Sequence, residues 1–136
     1  MRNIVGDHGH GRGWLQIDDR FHHDFLVTHR GCDDGSFTPT HVSAAPKGRV
    51  PTFTASTIHA IELLRGNMRV ARSNGVPEEK VLRFALAAYN AGPGGALKGF
   101  HQGDVDAETT GGNYSGDVLG RKAMIARLLE RELAPA

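Results

Sequence analysis

The sequence predicts a mainly α domain (α+β) with a small β element near its N-terminus. Three observations lead there. Four glycines stand at positions 6, 9, 11 and 13, followed by a short apolar run of Trp14, Leu15 and Ile17; that pattern suits tight turns and short strands. From Pro51 onward apolar residues recur at helical spacing in successive stretches. Two chain-breaking pairs, Asn74-Gly75 and Gly92-Pro93, punctuate those stretches.

Taken in order, residues 1–5 read as a short strand feeding the glycine-rich segment. Residues 20–25 have the look of a helical turn, with Phe21 and Phe25 four apart on one face. Residues 28–50 are rich in Thr, Gly, Asp, Ser and Pro and read as a long surface excursion, with short strands expected around 36–40. Pro51 to about Ser73 is expected to be a helix, with Thr52 as a candidate cap and Ile58, Ile61, Leu64 and Met68 as its apolar stripe. Asn74-Gly75 ends it. Pro77 then opens a second helix, with Glu78 and Glu79 favouring its N-terminus. That helix carries Val81, Leu82, Ala85, Ala88 and Tyr89 and is expected to stop at Gly92-Pro93, with a short helix from Ala96 to Phe100. A polar loop follows from Gly103 to Gly112. Asn113 to Leu133 reads as the last helix, burying Val118, Ala126 or Ile125, Leu128, Leu129 and Leu133.

Composition narrows the function classes. At 136 residues the chain suits one domain with a real core. A formal net charge of +1 gives no argument for a nucleic-acid partner. No apolar run approaches a membrane span, and residues 1–5 contain no signal-peptide core. One cysteine, Cys32, rules out an internal disulfide. The eight histidines lack the spacing of a zinc motif such as His-Glu-x-x-His. No metal and no cofactor is expected, and a monomer is the default.

The chemistry-bearing residues cluster in the glycine-rich stretch. Asp7 and Asp18 bracket it, eleven positions apart, and a hairpin-like course would bring both carboxylates to one side. Paired carboxylates suit glycosidic-bond chemistry, where one group activates water while another protonates the leaving oxygen. The same residues also suit plainer roles, Asp7 as a turn former and Asp18 as a helix cap.

Three motifs, in order, resemble the goose-type lysozymes and their relatives, the lytic transglycosylases. The first is Gly6-Asp7 with Gly11-Arg12-Gly13-Trp14-Leu15-Gln16-Ile17-Asp18, Arg20 and His22. The second is Ala87-Ala88-Tyr89-Asn90-Ala91-Gly92-Pro93-Gly94. The third is Asn113-Tyr114-Ser115-Gly116-Asp117-Val118. The resemblance implies a lysozyme-like fold over residues 1–136 and a muramidase, hydrolysing the β-1,4 bond between N-acetylmuramic acid and N-acetylglucosamine in peptidoglycan. Asp7 and Asp18 would position the water. Gln16, His22, Tyr89, Asn90 and Tyr114 would shape the glycan cleft, with Tyr114 directed toward the acid. Retention of both aspartates favours hydrolysis over the transglycosylase reaction, which needs no held water. The sequence departs from the family at Trp14, where a leucine is usual. The family's general acid is a glutamate on a helix preceding the glycine-rich segment, whereas glutamate first occurs here at Glu62. The chain is therefore expected to be an N-terminally truncated piece, of the disulfide-free bacterial or phage branch, acting at a cell wall or carried there by a phage. A catalytically inactive glycan-binding domain is the alternative.

Overall fold

The computed structural model describes residues 5–6, 10–12, 15–18, 20–22, 24–25 and 53–133. As expected, the protein is mainly α with a small sheet near the N-terminus. The chain divides into two compact units, Met1–Glu62 and Leu63–Ala136. Asp7, Trp14, Cys32, Thr52 and the 28–50 stretch lie outside the described residues.

In the first unit the glycine-rich segment forms a meander of three two-residue strands, β1 (Val5–Gly6), β2 (Gly11–Arg12) and β3 (Ile17–Asp18). Both pairings are antiparallel, with Val5 opposite Arg12, Gly6 opposite Gly11, Arg12 opposite Ile17 and Gly11 opposite Asp18. Residues directly opposite one another share a face of a sheet. Arg12 and Ile17 therefore lie on one face, where each is 2% exposed. Gly6, Gly11 and Asp18 form the neighbouring row. Gly11, a residue without a Cβ, is thus the cross-strand neighbour of Asp18.

The first described long helix, α1 (Phe53–Ser73), has the extent that periodicity predicts. The predicted stripe is covered only in its second half, where Leu64 is half-buried and Met68 packs against the core. Ser56, Ala60 and Ala71 are buried, while Ile58 and Ile61 are 56% and 44% exposed. Small residues let a helix approach its neighbours closely, so here they occupy the inner side and the two isoleucines are left outside. The end of α1 follows the predicted turn chemistry. Gly75, at φ 74°, takes the left-handed position. The Gly75 N–H reaches Arg72 O at 3.1 Å and the Val76 N–H reaches Ala71 O at 3.0 Å. These two bonds are a Schellman motif, and its usual apolar contact is supplied by Ala71 and Val76, both buried in the core of the second unit.

That core is built from Ala71, Val76, Val81, Phe84, Ala87, Ala88 and Ala96, with Leu97, Phe100 and Val105 packed around it. All but Ala71, Val76 and Val105 come from α2 (Glu78–His101). A straight helix could not do this. At about 1.5 Å of rise per residue, Lys80 and Gly103 would stand roughly 35 Å apart. Instead they line one cleft of about 250 Å³ with Phe84 and Phe100. The cause is Gly92, whose φ of 73° and ψ of 159° break the helix. Only glycine occupies that region readily, and Pro93 restarts the helix from a position where its missing N–H is harmless. The predicted stop at Gly92-Pro93 is thus a sharp break, and the second arm runs from Pro93 rather than from Ala96.

The second arm ends in another Schellman motif. Gly103 N–H meets Phe100 O at 3.0 Å and Asp104 N–H meets Gly99 O at 2.9 Å. A 3-10 turn at Thr110–Gly112 leads into α3 (Tyr114–Leu133), which packs against α2. Its beginning is held firmly, with Ser115 fully buried. Of its predicted buried face, Val118 is half-buried, but the residues further along are not covered. Ile125, Leu128 and Leu129 are each about half exposed, as is Met124. Packing on α2 occupies only the first turns, and residues 120–131 are exposed throughout. Among the described residues no helix is long and apolar enough to cross a membrane.

Candidate functional site

In the first unit, β3 and the turn after it carry Asp18, Arg20 and His22. The turn is closed by two bonds to Asp18 O, from Phe21 N–H at 3.3 Å and from His22 N–H at 2.9 Å. The Asp18 side chain caps the same turn, accepting the Arg20 N–H on Oδ1 at 2.8 Å. The Arg20 guanidinium adds Nη2 to Oδ2 at 2.5 Å and Nε to Oδ1 at 3.0 Å. These Arg20 hydrogen bonds hold the Asp18 carboxyl below the ordinary carboxylate range, against the opposing effect of partial burial. Such a carboxylate is a weak proton acceptor. It suits orienting a water better than deprotonating one. Both plainer and chemical readings of Asp18 thus meet in one residue: it caps the turn, and its side chain remains 22% exposed.

Gln16 occupies the turn between β2 and β3 with a φ of 50°. A left-handed residue with a Cβ costs roughly 1–2 kcal/mol, and such positions concentrate at functional sites. Its side chain lies over Gly11, so that a Cβ there would come within 3.0 Å of Gln16 Cδ. The missing Cβ at Gly11 thus makes room for a neighbouring side chain.

His22 is half-buried, and burial lowers its pKa, with Asp18 opposing. Its Nδ1 lies 3.2 Å from His59 Nε2, with the rings edge to face at 5.0 Å. His59 belongs to α1 and stacks flat on Phe25, with centroids 3.9 Å apart. Phe21 does not share this arrangement, contrary to the one-face expectation. It is 78% exposed beneath the Arg20 guanidinium. His59 carries no motif, and its link to His22 spans 37 positions, so local patterning gave no signal of it.

In the second unit, Tyr89 on α2 and Tyr114 at the start of α3 are both half-buried, on helices that pack against one another. Burial first, and the electrostatic influence of Tyr114 second, push the Tyr89 phenol up to about 12. Burial also raises Tyr114. A protonated phenol can donate a hydrogen bond to a carboxylate or a sugar oxygen. Asn90 is exposed at the side of α2, and its Oδ1 accepts the Thr110 N–H at 2.7 Å. It stands two residues before the break at Gly92, and that oxygen is occupied. Asp106, in the predicted polar loop, is 1% exposed. Its spacing to Thr109 is a turn signature that could have singled it out.

Among the described residues, no three His, Cys, Asp or Glu side chains converge as a metal site would require. Comparison of the chain with protein-family models, with curated proteins and with solved structures finds no match.

Proposed function

We propose that this chain acts on the glycan strand of peptidoglycan as a domain of the goose-type lysozyme and lytic transglycosylase kind, hydrolysing the β-1,4 bond after N-acetylmuramic acid. One observation carries most of the weight. Tyr89 and Tyr114, taken from the second and third sequence motifs, are both half-buried, on helices that pack against one another. The register of the glycine-rich meander adds support, because Gly6, at the start of the first motif, shares a cross-strand row with Asp18 at its end. In this reading Asp7 and Asp18 hold the attacking water. Gln16, His22, Tyr89 and Tyr114 contact or shape the glycan, and Asn90 shapes its wall. Protonation of the leaving oxygen needs an acid, and a positioned acid is worth ~10²–10⁴-fold. The resembling enzymes take it from a glutamate ahead of the glycine-rich segment.

The engagement of Asp18 by Arg20 favours a second reading, a glycan-binding domain without turnover. Incubation with purified peptidoglycan and mass spectrometry of the soluble products separates the two. Muropeptides with reducing N-acetylmuramic acid ends support hydrolysis, and 1,6-anhydro ends point to the transglycosylase reaction. Retention on the insoluble glycan without products supports the binding domain. Neither retention nor products refutes both. Where cleavage occurs, Asp18→Asn is expected to lower kcat at least tenfold and leave glycan retention in place.

A further inference from the structure

The buried carboxylate of Asp106 belongs to none of the three motifs. Its Oδ1 accepts the Ser115 N–H at 2.9 Å and lies 3.3 Å from the Thr109 hydroxyl. Its Oδ2 accepts the Ser115 hydroxyl at 2.5 Å and Arg83 Nη2 at 3.3 Å. Arg83 Nε closes the ring by donating to Ser115 Oγ at 3.1 Å. Thr109 Oγ1, 2.8 Å from Asp106 O, receives the Tyr114 N–H at 3.3 Å. The first two residues of α3, Tyr114 and Ser115, are therefore tied to one aspartate, directly or through Thr109. On the other side, Asn90 grips the same connection through Thr110. The 106–113 segment is clamped beside Tyr89 at one end and beside Tyr114 at the other.

A neutral cap would satisfy the same amides. Asp106 is buried while the paired Arg83 side chain is half exposed, and the hydrogen bonds to both carboxylate oxygens fix the geometry around it. We infer that Asp106 is a positioning residue, which with Arg83 and Ser115 sets the start of α3 and with it the half-buried place of the Tyr114 phenol. This rests on the reading of those tyrosines as glycan-facing residues only for its purpose, not for its test.

The test uses the fact that the chain has two tyrosines. Labelling with 3-fluorotyrosine gives two fluorine resonances, and fluorination lowers the phenol pKa so that titration stays below strongly alkaline pH. In the unsubstituted chain both resonances are expected to titrate above free 3-fluorotyrosine. In Asp106→Asn the Tyr114 resonance moves toward the free value. Ser115→Ala, which removes one hydroxyl, gives the same change to a lesser extent and serves if the first variant does not fold. A folded variant whose two titrations match those of the unsubstituted chain overturns the proposal, since a merely stabilising aspartate would leave the phenols unmoved. Failure of the glycan reading would appear separately, as absence of binding and cleavage by the unsubstituted chain.

Discussion

Replacing Gly99 by alanine isolates how tightly the second arm of α2 meets the turn that follows it. Alanine in a helix interior is intrinsically better than glycine by about 0.5–1 kcal/mol. At Gly99 the new methyl would sit 2.5 Å from Asp104 O and 3.0 Å from Val105 O. Both are backbone atoms, and the Asp104 N–H is already bound to Gly99 O at 2.9 Å. The turn cannot retreat without breaking the motif that ends the helix. Overpacking of this kind costs about 1–3 kcal/mol, and the rigid backbone on one side puts Gly99 at the upper end. The net expectation is a loss of about 2 kcal/mol. For a chain of this size that lowers Tm by roughly 6–8 °C. Gly120 is the matched control, because a Cβ there meets nothing within 4 Å. Gly120→Ala is expected to gain about 0.5–1 kcal/mol and to raise Tm by roughly 2–4 °C. Thermal unfolding followed by circular dichroism at 222 nm reads both. A Gly99→Ala protein melting at or above the unsubstituted chain would refute the argument.

Two further outcomes follow from the core and from the histidine pair. Phe84 is 1% exposed at the centre of the second unit, so Phe84→Ala is expected to cost about 3–5 kcal/mol, read as a lower urea midpoint with an unchanged slope. Burial holds the folded pKa of His22 below the ordinary imidazole value of 6.5, so the unfolded chain binds more protons below that pH. Its contribution to stability is present above 6.5 and is lost as pH falls through the folded value. Urea unfolding at pH 7.5 and 5.5 should show the lower stability at 5.5, and His22→Gln should reduce the difference. An equal or larger difference in the variant would show that His22 is not its source.

The parts legible in the sequence are those fixed locally. Gly75 and the Gly92-Pro93 pair announced a helix end and a helix break because their conformations are written in single residues. The glycine pattern foretold a small β element for the same reason. Side-chain partners at long range were not legible. Nothing near His59 in the chain indicates His22 or Phe25, and nothing around Asp106 indicates Arg83, 23 positions earlier. Apolar periodicity misled where it was used to assign burial. It marked Ile58, Ile61, Ile125, Leu128 and Leu129 as inward, whereas the close-packed positions of α1 fall to Ser56, Ala60 and Ala71. Periodicity gives the face on which apolar residues gather, but which face is covered depends on neighbours that the pattern does not name. Asn90 illustrates a related limit. The motif marked it as important, and the structure shows its carbonyl oxygen on Thr110.

The break at Gly92 has a consequence for the rate at which the second unit assembles. Because α2 doubles back there, its core residues from Ala71 to Ala96 and their cover out to Val105 come from one short run of chain. Each contact closes a small loop, and small loops lose little entropy on closure. Chains dominated by such near-neighbour contacts fold in microseconds to milliseconds, faster than those that await distant strand pairing. The three-stranded meander has equally short connections but only two residues in each strand, too few to be stable without a partner surface. In stopped-flow refolding, helix formation in the second unit should therefore precede the burial of Ile17, with Gly92 setting the pace of the earlier step.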